Sequence, residues 1–80
     1  MLRVYTEVFS KENQCFLNAR EEIDASKIAR ASDRVERDVK VYKDCGYEVQ
    51  VVVETNNLVV FKVESDDFIE IKTISELEVQ

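Results

Sequence analysis

Histidine and proline are missing from the 80 residues, and glycine occurs once. The lack of histidine removes the usual general base and the commonest transition-metal ligand, and with it any Ser-His-Asp or Cys-His arrangement. A single glycine leaves no phosphate-cradling loop of the G-x-x-x-x-G-K-[ST] or G-x-G-x-x-G kind. The two cysteines, Cys15 and Cys45, form no C-x-x-C motif, so a zinc site lacks its ligands. Cys15 is expected on the core face of a strand and Cys45 at a helix C-terminus, where the helix dipole disfavours a thiolate. Both read as free thiols, with a disulfide between them left open. No apolar run reaches 18 residues and no charged-then-apolar leader precedes the first alternating stretch, "MLRVYTEVF". The expectation is an unprocessed cytoplasmic protein with no membrane contact.

Carboxylates are plentiful. Asp66 and Asp67 with Glu64 and Glu70 are the candidate cation ligands, but their spacing fails the calcium-loop pattern and its central glycine. Adjacent acids in a short loop read as turn chemistry. With no metal, no cofactor and little room for a cleft in so small a domain, the expectation is a protein without enzymatic activity.

What the chain does contain is enough apolar material to fold: 45% apolar and 35% charged residues is a globular composition. A chain of this length makes one domain, residues 1–80, which buries on the order of 60–65% of its unfolded surface. Eleven basic and seventeen acidic residues give a net charge of −6, which opposes direct binding to nucleic acid and suits an approach to basic surfaces.

The clearest element lies between Asp24 and Gly46. Ile28, Ala31, Val35, Val39 and Tyr42 recur at helical spacing, with Asp24 as N-cap and Gly46 as the residue past the C-cap. The spacing predicts a helix over 24–45. Upstream, "LRVYTEVF" and "QCFLNA" around "SKEN" predict a β-hairpin over 1–20, with Phe9 opposite Gln14, Val8 opposite Cys15, Thr6 opposite Leu17 and Val4 opposite Ala19. Downstream, 47–79 reads as a three-stranded meander. A three-residue loop Thr55-Asn56-Asn57, with Asn57 left-handed, pairs Val53 with Val59, Val51 with Phe61 and Val49 with Val63. A loop of Ser65, Asp66 and Asp67 then pairs Val63 with Ile69 and Phe61 with Ile71, so that every core position is odd-numbered through Leu77 and Val79. The fold class is α+β: a two-layer β-β-α-β-β-β chain with one antiparallel-rich sheet and a single long helix on one face.

One helix leaves the other sheet face uncovered. Parity assigns to that face Val52 beside Val60, Leu58 beside Ile74, and Lys62 beside Glu70, with Phe68; if the first hairpin joins the same sheet, Tyr5, Phe9 and Phe16 share it. Contiguous apolar patches of this size tend to mark contact sites, so Tyr5, Phe9, Phe16, Val52, Leu58, Val60, Phe68 and Ile74 form the first candidate binding surface. Its expected occupant is a partner protein or a second copy.

Charge supplies two further candidates. The segment from Asp24 to Asp44 carries six basic and five acidic residues, leaving five basic and twelve acidic elsewhere. The loop residues Glu64, Asp66 and Asp67 would present negative charge to a basic partner. Lys27, Arg30, Arg34 and Arg37 form a basic stripe along the helix, offset by expected pairs of Asp33 with Arg37, Arg34 with Asp38 and Glu36 with Lys40. Nucleic-acid binding through that stripe is a weaker reading, opposed by the net charge.

In size, acidity and order of elements the chain resembles phage-encoded inhibitors of bacterial defence systems, including anti-CRISPR proteins. The likeness is one of layout and transfers no functional residue. It implies a non-enzymatic inhibitor that blocks a basic surface of its target; the alternative, read from the apolar sheet face, is a self-associating homodimeric structural module.

Overall fold

A computed structural model describes residues 1–24 and 30–76. Its elements are β1 (Leu2–Ser10), β2 (Cys15–Asp24), α1 (Ala31–Asp44), β3 (Glu48–Glu54), β4 (Leu58–Glu64) and β5 (Phe68–Glu76). The five strands form one sheet in the order β2-β1-β5-β4-β3, and every neighbouring pair is antiparallel. The chain is therefore α+β, with its first and last strands side by side near the centre and α1 lying between the two edge strands in sequence.

The helix lies over β3, β4 and β5. Its Ala31 and Val35 are buried, with Val39 and Tyr42 packed against the same core, as the stripe predicts. The stripe's Ile28 falls outside the described residues. From the sheet come Leu2 and Val4 of β1, Val59, Phe61 and Val63 of β4, and Ile74 of β5. In β4 the alternation is complete: odd residues are buried and even ones half-buried.

The two helix ends are closed differently, the C-terminus by its own last turn and the N-terminus by a distant side chain. At the C-terminus Gly46 takes φ +89° and donates its N–H to the Lys43 carbonyl, a conformation that glycine adopts without a Cβ penalty. At the N-terminus Arg30 is the N-cap and makes no side-chain capping bond. Instead Glu76 Oε1, from the end of β5, accepts from the Ala31 N–H at 3.0 Å, bringing a carboxylate to the positive end of the helix dipole. Asp24 does not cap the helix. It ends β2, and its carboxylate holds Arg34 from the side.

The strand registers correct the expected ones, and the cause is turn chemistry. In "TNNL" the Thr55 N–H donates to the Leu58 carbonyl at 2.8 Å, and Thr55 Oγ1 accepts from the Leu58 N–H at 3.1 Å. In "SDDF" the Ser65 N–H donates to the Phe68 carbonyl at 3.0 Å, and Ser65 Oγ accepts from the Phe68 N–H at 3.2 Å. Both are therefore two-residue loops clamped by a hydroxyl residue, not three-residue loops. Asn57 does not become left-handed; Gln14, at φ 52°, is the one described non-glycine residue with positive φ.

The extra residue has opposite consequences in the two hairpins. Between β3 and β4 a bulge at Val52 absorbs it, so Val51 still faces Phe61 and Val49 still faces Val63, while Val53 slips to Val60. Between β4 and β5 nothing absorbs it. Val63 faces Glu70, Phe61 faces Lys72 and Val59 faces Ile74, so Ile69 and Ile71 point away from the core that they were expected to join. Lys62 lies opposite Ile71 and not beside Glu70, and Leu58 lies opposite Ser75 and not beside Ile74.

The first hairpin shifts as well. Ser10 faces Cys15 across a four-residue loop in which Ser10 Oγ accepts from the Asn13 N–H at 3.2 Å. A further irregularity after Phe9 and Phe16 then sets Val8 opposite Asn18, Thr6 opposite Arg20 and Val4 opposite Glu22. Cys15 does share the side of Ser10, but on an edge strand it is exposed, as is Cys45, and both thiols are free. No helix among the described residues is long and apolar enough to cross a membrane.

Candidate functional site

Alternation along each strand, combined with the pairing, fixes what lies on the face opposite α1. Four rows cross it from β2 to β3. The first runs Ile23, Arg3, Ser75, Leu58; the second Glu21, Tyr5, Thr73, Val60, Val53. The third runs Ala19, Glu7, Ile71, Lys62, Gln50, and the fourth Phe16, Phe9, Ile69, Glu64, Glu48. No described helix covers any of them, since α1 lies on the other side.

Five of the residues expected here are here: Tyr5, Phe9, Phe16, Leu58 and Val60. Phe9 and Phe16 pack edge to face with ring centroids 5.3 Å apart, and Phe16 remains 59% exposed. Three are not. Ile74 is 0% exposed in the core beneath α1, because the two-residue turn reverses the parity of β5. Phe68 turns for the same reason to the α1 side, where it lines a depression with Val8, Tyr42, Tyr47 and Glu70. Val52 is the bulge residue of edge strand β3 and has no place opposite Val60. The apolar residues that sequence reasoning missed are Ile69 and Ile71, which take the central column of the open face, and Ile23 and Val53 at its two edges. The signal was present: a hydroxyl residue, two Asx residues and a large apolar residue occur twice, as "TNNL" and "SDDF".

The charges of this face are largely matched. Arg3 Nη2 reaches Glu21 Oε2 at 2.9 Å, and Lys11 Nζ reaches Glu64 Oε2 at 3.0 Å. Lys62 Nζ lies 3.8 Å from the other Glu64 oxygen. The hydrogen bond from Lys11, and its charge, lower the Glu64 pKa below the usual carboxylate range. Glu7, half-buried beside Ile71, makes no ion pair with any described residue.

The other two candidate groups come apart. Of the acidic loop, Asp66 and Asp67 are exposed at the tip of the β4–β5 turn, whereas Glu64 is engaged by Lys11 and Lys62. The Asp67 carbonyl accepts from the Lys11 N–H at 3.0 Å, which ties the β4–β5 turn to the end of β1. Of the basic stripe, Lys27 lies outside the described residues and Arg30 is exposed. Arg34 is clamped between Asp24 and Asp38, the latter at 2.9 Å. Burial acts to lower the Arg34 pKa, and the hydrogen bonds and charges of Asp38 and Asp24 outweigh it, leaving it raised. Arg37 turns to Asp38 at 3.6 Å rather than to Asp33. Two of the four basic side chains are thus engaged by carboxylates, one of them as a tie between β2 and the helix.

Comparison with known proteins gives no further guide: no family model, no curated protein and no solved structure matches the chain.

Proposed function

We propose that the chain is a non-enzymatic protein-binding module whose contact surface is the sheet face opposite α1. One observation carries the reading. Tyr5, Phe9, Phe16, Leu58, Val60, Ile69 and Ile71 share a face that no described helix covers, and apolar patches of this extent are uncommon on monomers without a partner. The surplus negative charge lies largely off this face, with exposed Asp66 and Asp67 among its members, and would speed capture of a basic partner. Layout and acidity support a role as an inhibitor of the phage-encoded anti-CRISPR-like kind in the cytoplasm, in which the acidic surface outside the open face covers a basic protein surface. Net charge and the engagement of Arg34 and Arg37 argue against nucleic acid as the ligand.

The test is Val60→Glu. Val60 is half-buried on the open face, so the substitution is expected to leave the thermal unfolding of dilute protein close to wild type while abolishing association through that face, with a second copy or with a partner protein. Unchanged association would make the face ordinary surface.

A further inference from the structure

We infer that the occupant of the open face is a second copy of this chain, packed face to face about a two-fold axis that runs along β5. The inference rests on the reading of that face as a protein contact and names its partner.

Strand order supplies the symmetry. β5 is the third of five strands, so an axis along it brings β1 over the partner's β4 and β2 over the partner's β3. Rows then meet themselves reversed. In the central row, Ala19, Glu7, Ile71, Lys62 and Gln50 face Gln50, Lys62, Ile71, Glu7 and Ala19 of the second copy. Ile71 meets Ile71 on the axis. Glu7, which has no ion-pair partner among the described residues, meets Lys62 of the copy, and the pairing occurs twice. Within one chain these two side chains sit on either side of β5, about 9.6 Å apart at the ordinary strand spacing, which is too far for an ion pair. In the next row Tyr5 meets Val60 of the copy, also twice.

Charge and area agree with this arrangement. The open face and its rim hold Arg3, Lys11 and Lys62 against Glu7, Glu21, Glu48 and Glu64, a near balance in a chain of net charge −6. A basic partner would find little to attract it there, whereas a second copy gains two Glu7–Lys62 pairs and sets no like charges opposite each other. Five strands at about 4.8 Å spacing and nine residues at about 3.3 Å give a face of about 700 Å². That approaches the ~800 Å² per partner of a standard-size interface. Two sheets packed in this way cross at roughly 30° because each is twisted, so the central rows keep their partners best.

Charge swapping tests the axis itself. Size-exclusion chromatography with light scattering, run as a dilution series on the full chain, should give twice the 9.3 kDa chain mass at high concentration. Glu7→Lys and Lys62→Glu should each weaken the dimer roughly tenfold or more, since each leaves two like-charge contacts in the interface. The double variant carrying both substitutions should recover most of that loss, because the exchanged charges again face each other. Recovery also shows that neither substitution acts by unfolding the chain. Two weakened single variants without recovery in the double overturn this axis. A wild-type chain that stays monomeric at the highest concentration it tolerates overturns the second copy but leaves the open face available to another protein. A dimer that persists unchanged in Ile71→Glu overturns the second copy on this face as well, because it then uses some other surface.

Discussion

The two faces of the sheet are built from the same strands with similar residues, yet they behave differently. On the α1 side Val59, Phe61, Val63 and Ile74 are sealed by the helix and by each other. On the open side Val60, Ile69 and Ile71 are half-buried among their sheet neighbours, with no described helix over them. The difference teaches that burial in a small α+β domain is set by which parity the helix lands on, more than by the hydrophobicity of a strand. In β5 the helix side receives Glu70 and Lys72, and two isoleucines are left outside.

The contrast is sharpest between adjacent residues of β4, and there it can be broken most severely. Phe61→Ala should cost about 3–5 kcal/mol in urea unfolding, because Phe61 is fully buried and its loss leaves a cavity. Val60→Ala, measured in dilute protein, should cost less than about 1 kcal/mol. Equal costs would mean that the two faces are equally closed.

That alternation in β4 was readable from the sequence because a central strand with one covered face leaves an uninterrupted pattern of period two. The helical stripe was readable for the same reason. β5 was not, because "FIEIKTI" offers two conflicting phases, Ile69 with Ile71 or Phe68 with Ile74, and counting isoleucines favours the wrong one. What decides the phase is the Ser65 hydroxyl on the Phe68 amide, a local bond that outweighs the hydropathy pattern. The misplaced charges are tolerated at the margin of the covered side. Lys72 Nζ lies 5.6 Å from the Tyr42 ring centroid, and Glu70 lines the open depression beside Tyr47. The Tyr42 hydroxyl, raised in pKa by burial first and lowered in part by Lys72, reports the same margin. Asp24 was misread as an N-cap because nothing in the sequence reveals that its carboxylate is claimed by Arg34 and that Glu76 serves the helix from 45 residues away.

A smaller effect sharpens the comparison where the helix layer is tied to the sheet. Arg34→Met removes the clamp on Asp24 and Asp38 and should destabilise by about 1–3 kcal/mol, because each of two part-buried carboxylates loses a close ion pair. Combining it with Asp24→Asn should cost less than the sum of the two single changes. Full additivity would show that the tie contributes nothing.

The smallest effect belongs to the rim of the open face. The Glu64 pKa is depressed in the folded chain, so its contribution to stability is complete above the ordinary carboxylate range and is lost as pH falls through the depressed value. In Lys11→Met the Glu64 carboxyl should titrate closer to the ordinary carboxylate range in an NMR pH series, whereas an unchanged titration would mean that the Lys11 contact does not form.

The division of β5 between the two faces is best measured by thiol labelling in dilute protein carrying Cys15→Ser and Cys45→Ser. Ile71→Cys should label quickly in the folded state, and Ile74→Cys only as fast as the chain unfolds. If Ile74→Cys labels as readily as Ile71→Cys, or if the order is reversed, the assignment of faces is wrong and the open contact surface goes with it.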